Sequence, residues 1–372
     1  MHTLNGGKMK STQSFVLPRT GKTLKNRTVL AAMTNKQSHD NGVLSEEEKT
    51  WLIRRAKGEF AITTTAATNV TEHGRGWTGE MGVWGDHHIP ELTNLANELR
   101  KTGTISLAQI FHGGMRAPQS INGVQPISAS VNTEPGMNGV HTRALSHQEI
   151  LEMIQSFTDA ALRCEKAGFD GVELHGAHSY LICQFLGNIT NRRDDEWGGN
   201  LEGRSKFLRE IITSIRRATK PEFLIVVRIS PIIEKAGINL EDSLNLATAL
   251  SEMEIDMLHI SCWDVFQEID DENTSKSLTK RFHEAVPSNM PLISTGAVWT
   301  SKDAEYVLDE GADLVGVARV GIAHPDWPTY LGDISYSPAR PPFSEEHLIE
   351  VDLSPAFVDY MRGWKGFVIG GK

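Results

Sequence analysis

The sequence predicts an α/β chain folded as a single (β/α)8, or TIM, barrel. Three observations predict it. Short apolar runs recur eight times, at Arg27–Ala31, Glu59–Thr64, Thr104–Ile110, Asp170–Leu174, Phe223–Ile229, Asp256–Ile260, Pro291–Ser294 and Asp313–Ala318. They are continuously β-branched and apolar, with no alternation, as expected of parallel strands buried on both faces. Amphipathic stretches separate them, and eight strands alternating with helices close into a barrel. An open doubly wound sheet is the alternative reading of the same pattern.

The helices follow in order. Ser45 begins one, with Glu48 three residues on to complete a capping box. Ser146 begins a long one that runs to Lys166 and stops at Gly168, a C-cap glycine. Leu201–Thr219 carries Phe207, Leu208, Ile211, Ile212 and Ile215 at helical spacing. Asn239 or Glu241 to Met253, and Ser301 to Glu310, complete the later units. Ala167-Gly168-Phe169-Asp170 and Glu310-Gly311-Ala312-Asp313 repeat one pattern, a helix end, a glycine and an aspartate entering a strand. The segment Phe111 to Leu145, rich in Gly, Pro, Asn and Ser, reads as an extended loop over the barrel mouth. The tail from Ser335 opens Pro-rich and is partly helical over Glu345–Tyr360. The whole chain, 1–372, is expected to be one domain, with a barrel core of about 24–330 and a C-terminal extension of about 335–372. Its length alone does not choose between one domain and two.

Composition narrows the class. The net charge is −10, whereas a broad nucleic-acid footprint needs a basic surface, so no nucleic-acid partner is expected. The three cysteines, Cys164, Cys183 and Cys262, are far apart and odd in number, which indicates no disulfide framework, zinc knuckle or iron–sulfur run and fits a reducing compartment. Residues 1–14 are polar, without the apolar core of a signal peptide, and no stretch approaches the ~18 apolar residues of a membrane span. A cytoplasmic location and no membrane partner are expected.

A barrel of this type carries its site at the C-terminal ends of the strands. After the fourth run stands His175-Gly-Ala-His178-Ser-Tyr180, two imidazoles and a phenol within one short turn. Imidazole N–H groups can hold developing negative charge on a carbonyl oxygen, and a phenol can donate a proton. The same cluster could ligate a metal, or be a structural pair of histidines. Thr295-Gly296-Ala297 after the seventh run and Ala318-Arg319-Val320-Gly321 after the eighth, ahead of a helix near Pro325, suit a phosphate. Glycines at strand ends are also ordinary turn chemistry. The third run ends in Gln109, followed by Phe111-His112-Gly-Gly-Met115-Arg116, and the fifth ends in Arg228. A charge there needs a ligand or a buried partner, and both residues could read the carbonyls and nitrogens of a heterocycle. Trp77, His112, Met115 and Trp263, with the 111–145 loop, are expected to shape a substrate pocket, although Trp263 could equally pack under a loop. The charged segment Asn191 to Arg204 reads as a loop and helix start held by ion pairs.

Together these pieces resemble the Old Yellow Enzyme family of FMN-dependent ene-reductases, over most of the chain from about Leu24 to Trp327 and again near the C-terminus. The family's His-x-x-His/Asn-x-Tyr signature stands here as His175, His178 and Tyr180, followed by Leu-Ile-Cys-Gln-Phe-Leu. The charged segment resembles the family's Asn-x-Arg-x-Asp-x-Tyr-Gly-Gly-Ser-x-Glu-Asn-Arg, with Trp197, Asn200 and Gly203 as departures. Val315-Gly-Val-Ala-Arg319 and His324 to Pro328 are also family-like.

The resemblance implies FMN as cofactor and NADH or NADPH as co-substrate. It implies that Gln109 bonds the flavin pyrimidine edge, that Arg228 lies near N1 and O2, and that Ala32, Met33 and Thr34 form the segment beside O4 and N5. The family usually has Pro at the position of Ala32. Ala67 is implied to flank the ring, and Gly296, Ala318 and Arg319 to hold the phosphate, where a Gly is more usual than Ala318. His175 and His178 then hold the oxygen of an electrophilic alkene, Tyr180 protonates its α-carbon, and hydride reaches the β-carbon from the flavin. No metal is implied. The tail Tyr360-Met-Arg362-Gly-Trp364 resembles that of one bacterial class whose arginine reaches a neighbouring subunit, which implies a homo-oligomer with Arg362 acting in trans. Alternatives are a family member that demethylates, dehydrogenates or reduces nitro groups, and, outside the family, a metal-dependent barrel hydrolase. The larger family branch with an iron–sulfur segment and a further nucleotide domain fits less well, since the sequence shows neither feature.

Overall fold

A computed structural model of the chain describes residues 8–133, 139–271 and 274–372. Eight parallel strands close into a barrel. They are β1 (Thr28–Leu30), β2 (Ile62–Asn69), β3 (Ile105–Phe111), β4 (Gly171–Gly176), β5 (Leu224–Ile229), β6 (Met257–Trp263), β7 (Leu292–Gly296) and β8 (Leu314–Val317). Each pairs with its sequence neighbours, and β8 returns to β1 through Val315↔Thr28. The helices α1 (Glu46–Lys57), α2 (Ile89–Lys101), α3 (His147–Ala167), α4 (Leu201–Ala218), α5 (Leu240–Ser251), α6 (Leu278–Ala285), α7 (Ser301–Asp309) and α8 (Arg319–Ala323) alternate with them.

Side chains in a strand alternate between faces, and here that separates two environments. Val172, Leu174, Ile225, Val227, Leu258 and Ile260 point outward into the core shared with the helices. Val29, Ile62, Leu107, Leu224, Val226, Met257, Ile293 and Leu314 fill the barrel axis at its N-terminal end, with Leu17 and Leu24 from an N-terminal hairpin. Further along the same inward rows the residues turn polar: Gln109, Glu173, His175, Arg228, His259, Ser261 and Thr295 are all buried. An apolar floor under a polar mouth is what places a site at the strands' C-terminal ends.

The repeated aspartates have a structural reason. Asp170 Oδ2 accepts from Ser106 N (2.9 Å), Asp256 Oδ2 from Ile225 N (2.8 Å) and Asp313 Oδ2 from Leu292 N (3.0 Å). Each thus caps the first free N–H of the preceding strand, and the three together stitch the barrel floor.

Several sequence expectations need correction. At Ser45 only half of the capping box forms. Its side chain accepts from Glu48 N, but the Glu48 carboxylate instead takes Asn35 Nδ2 (2.8 Å) and Ser38 Oγ (2.5 Å). The box at Ser146 is complete, and Gly168 ends α3 at φ 97°. Strands β2, β4 and β6 run beyond the apolar segments that predicted them, so His175 and Trp263 lie in strands and not after them. The helix expected near Pro325 starts at once at Arg319 and ends at Ala323. The region between Phe111 and Leu145 has structure of its own, a turn at Gly114–Arg116, a helical turn at Gln119–Asn122 and a strand pair Ile127–Ser128 with Arg143–Ala144; residues 134–138 of it lie outside the described residues. In the tail, helices cover Glu345–Glu350 and Pro355–Arg362.

Candidate active site

The site is built on the end of β4. The strand delivers His175 inward, and the chain then turns through His178 and Ser179, both left-handed at φ 58° and 62°. Such a pair is costly for residues with a Cβ and needs outside support. Gln184 supplies it. Its Nε2 donates to Ser179 O (2.7 Å), while its Oε1 accepts from Met115 N (3.0 Å) and Ser128 Oγ (2.8 Å). One buried amide therefore ties the His-Tyr turn to the loop after β3. Gly114, at φ 61°, lets this happen, since a Cβ there would lie 2.4 Å from Gln184 Oε1.

The turn gathers a ring cluster. His175 lies 5.0 Å, centroid to centroid, from both His178 and Tyr180. Tyr180 stands edge-on to Phe111 at 5.0 Å, and Trp77 lies 5.6 Å from Phe111 and 6.4 Å from Tyr180. Trp263, 69% exposed at the mouth, lies 5.9 Å from His178. The Arg116 guanidinium sits 4.8 Å over the Tyr180 ring and donates to His178 O (2.8 Å). His112 is packed deeper, where its Nδ1 accepts from Gly114 N (2.9 Å) and its ring lies against Gly74.

Both site imidazoles are neutral. Burial pushes His175 and His178 well below the usual histidine range, and the nearby Arg228 and Arg116 act in the same direction. His178 Nε2 is within 2.8 Å of Ser261 Oγ, which also accepts from Arg228 (3.1 Å). His175 Nδ1 is buried with no hydrogen-bond partner.

The cofactor-side residues converge on the same mouth. Arg228 reaches towards Ala32 O (3.5 Å), and its Nε is buried without a partner. Met33 and Thr34, half-buried, follow Ala32 in the β1–α1 connection. Ala67 pairs with Gln109 across β2 and β3, after an irregularity in register. At Gly296 a Cβ would lie 2.7 Å from the Trp263 carbonyl carbon, so only glycine fits where β7 meets β6. Ala318 is the N-cap residue of α8, and the exposed Arg319 opens that helix. An unpartnered buried Nε on Arg228, a glycine cradle and a cation at a helix start fit a flavin mononucleotide: a donor for the ring's carbonyl edge, backbone and charge for its phosphate. Among the described residues no group of three or more His, Cys, Asp or Glu is placed to hold a metal ion. Arg362 stands in the C-terminal helix and pairs on its own chain with Glu345 and Asp359.

The sequence reading passed over a buried polar layer beneath the mouth. Glu173, 0% exposed, accepts from Gln109 Nε2 (2.7 Å) and meets His259 Nδ1 (2.6 Å), and His259 Nε2 meets Thr295 Oγ1 (2.7 Å). Burial raises the Glu173 carboxyl, but His259, Arg228 and Gln109 outweigh it and hold it below the ordinary range. Burial lowers the His259 imidazole despite Glu173, leaving it neutral. A signal was present: Glu173 and His175, like His259 and Ser261, are spaced by two within apolar runs and so share the inward face.

The residues 19–333 match the model of the NADH:flavin oxidoreductase / NADH oxidase family. A probable NADH-dependent flavin oxidoreductase of Bacillus subtilis is 34% identical over 318 residues, 83% of this chain and 84% of that protein. An NADH:fumarate oxidoreductase of Klebsiella pneumoniae is 34% identical over 325 residues, 85% of this chain but only 35% of that much longer protein. Among solved structures, an old yellow enzyme homologue from Zymomonas mobilis superposes with a TM-score of 0.79 at 25% identity, covering 94% of this chain and 99% of that one. No helix among the described residues is long and apolar enough to cross a membrane.

Proposed function

Because the chain belongs to the NADH:flavin oxidoreductase / NADH oxidase family, the Old Yellow Enzyme group of FMN-dependent oxidoreductases, we propose that it uses NADH or NADPH to reduce the C=C bond of an alkene activated by a neighbouring carbonyl. The observation that carries this reading is the single turn that sets the His178 imidazole and the Tyr180 phenol ring each 5.0 Å from the His175 ring at the barrel mouth, with both imidazoles held below the usual histidine range. FMN, when bound, would supply the hydride chemistry between the nicotinamide and the β-carbon.

The chain's own residues do the rest. His175 and His178, each neutral, present an N–H to the carbonyl oxygen and stabilise the charge that gathers there as the alkene is attacked. A charged pair would bind a carboxylate or phosphate more strongly, whereas a neutral pair suits an oxygen that becomes negative only in the transition state. Tyr180 hands a proton to the α-carbon. Trp77 and Phe111 wall its ring, Arg116 stacks on its other side, and the phenol is thereby oriented before substrate arrives. Trp263, exposed beside His178, is placed to cover a substrate held on the two imidazoles. Arg228 and Gln109 would read the flavin ring, Ala32, Met33, Thr34 and Ala67 would border it, and Gly296, Ala318 and Arg319 would hold the phosphate.

Replacing Tyr180 by Phe removes the proton donor and keeps the ring. Alkene reduction then slows by ~10²–10⁴-fold, while flavin reduction by NAD(P)H stays within a few-fold. The two half-reactions are measured separately under anaerobic conditions. Equal slowing of both contradicts the assigned role.

A further inference from the structure

Glu173 is a buried carboxylate that the mechanism above does not use. It stands on the inward face of β4, two residues before His175, with no exposed surface. An ionised carboxylate in such a place costs several kcal/mol unless it is fully hydrogen-bonded and offset by charge. Both oxygens are engaged, Oε1 by Gln109 Nε2 and Oε2 by His259 Nδ1. The neutral His259 passes the constraint on: with its Nδ1–H donated to Glu173, its Nε2 is an acceptor and takes the Thr295 hydroxyl. Gly316 is required for that last contact, because a Cβ there would lie 1.8 Å from Thr295 Oγ1. Arg228 is a charge of opposite sign that acts on the carboxylate. Four strands, β3, β4, β6 and β7, thus contribute to one hydrogen-bonded layer directly under the residues assigned to the flavin.

The layer has two consequences. It fixes Gln109. An amide can present either end, but the carboxylate accepts only from the nitrogen, so the Gln109 oxygen is left as an acceptor for the single N–H of the flavin's pyrimidine edge. It also weakens Arg228. A full positive charge beside N1 and O2 favours the reduced, negatively charged ring, and Glu173 offsets part of it.

We propose that Glu173 is the positioning residue of the flavin site, and that its carboxylate, held by His259 and Thr295, both orients the Gln109 amide and sets the reduction potential of bound FMN against the charge of Arg228. This rests on the assignment of Gln109 and Arg228 to the flavin. It is tested on purified holoenzyme through two readouts, the midpoint potential of bound FMN by dye-equilibrium titration and the FMN retained on dilution. Glu173→Gln removes the charge and lets the amide turn. The equilibrium shifts about tenfold towards reduced flavin, about 30 mV more positive for a two-electron couple, and FMN retention falls. Glu173→Asp keeps the charge but shortens the reach, so retention falls while the potential moves less than in Glu173→Gln. A carboxylate with only a structural role lowers thermal stability and leaves the potential unchanged in both variants, and that result overturns the proposal. If Glu173→Gln does not fold, Thr295→Val decides: it frees His259, so FMN retention falls with the potential nearly fixed, and unchanged retention overturns the proposal. Wild-type protein without FMN contradicts the cofactor assignment itself, a different outcome from FMN-loaded variants with wild-type potentials.

Discussion

A neutral imidazole has one N–H to give, so at the residue scale the tautomer matters as much as the position. Ser261 Oγ accepts from Arg228 and lies 2.8 Å from His178 Nε2. One hydroxyl thus links the histidine proposed for the substrate's oxygen to the arginine proposed for the flavin. Neutrality also has a measurable cost in acid. His112 is buried and its pKa is lowered to about 3, first by burial and then by His73. In the unfolded chain a histidine titrates near ~6.5. Below that pH the unfolded state takes up a proton that folded His112 refuses, so its contribution is intact above ~6.5 and stability falls as pH drops towards 3. The slope is ~1.4 kcal/mol per pH unit for such a group. Denaturant unfolding at pH 7 and pH 5 should therefore show a smaller acid loss in His112→Gln than in wild type, by about 2 kcal/mol. Identical losses mean that His112 is protonated in the folded protein. The histidines of the β4 turn were legible in the sequence because three functional groups fell within one short segment. Glu173 and His259 were not, because a lone polar residue in an apolar run reveals its partner only when the closed barrel brings together the inward faces of two strands that flank a third, here at residues 86 apart in sequence.

At the scale of elements, the end of the barrel proposed to take the phosphate is held by an unusual cation. Arg55 of α1 is fully buried and faces no carboxylate directly. Its guanidinium donates to Gly321 O (3.1 Å) and Ile322 O (2.7 Å) in α8 and to Val351 O (2.7 Å), and it stacks 4.6 Å over Trp51. One side chain thus joins α1, the short helix that begins at Arg319, and the C-terminal extension. Arg55→Met leaves at least two buried carbonyls unpaired, at ~1–3 kcal/mol each. The expected outcome is a loss of about 3 kcal/mol in denaturant unfolding, together with faster FMN release, because Arg319 loses its frame. Wild-type stability contradicts this account of Arg55. The elements that the sequence reading missed share a cause. Helix α2 has His88 at its N-cap with no side-chain cap, so the usual capping residue is absent and Pro90 in its first turn is the one start signal there. Helix α6 is only 8 residues long and follows a hairpin, Glu268–Asp271 with Thr274–Ser277. Strands β2 and β4 extend past their apolar runs because their last residues are polar or small, and β6 because Ser261 and Cys262 interrupt its run before the exposed Trp263. Function sits where the apolar pattern stops.

For the whole molecule, charge is distributed against the average. The chain carries a net −10, yet the mouth is lined by Arg116 and Arg228 beside two neutral histidines, with Glu173 sunk below them. An acidic exterior around a cationic mouth suits a site that holds an anionic cofactor and develops further negative charge during reaction. The eightfold alternation of strand and helix could be read from the sequence because parallel strands buried on both faces are uniformly apolar. Closure into a ring follows from the count of eight units and is observed, whereas the polar layer inside the ring depends on register and could not be read. The central claim, that this mouth reduces activated alkenes with electrons from NAD(P)H, is tested most directly by stopped-flow mixing. Enzyme reduced anaerobically with NAD(P)H is mixed with a panel of alkenes bearing a carbonyl group. The account predicts that flavin absorbance returns at a rate that rises with alkene concentration, with one equivalent of saturated product per flavin. Flavin that stays reduced against every alkene, and returns only when oxygen is admitted, contradicts it.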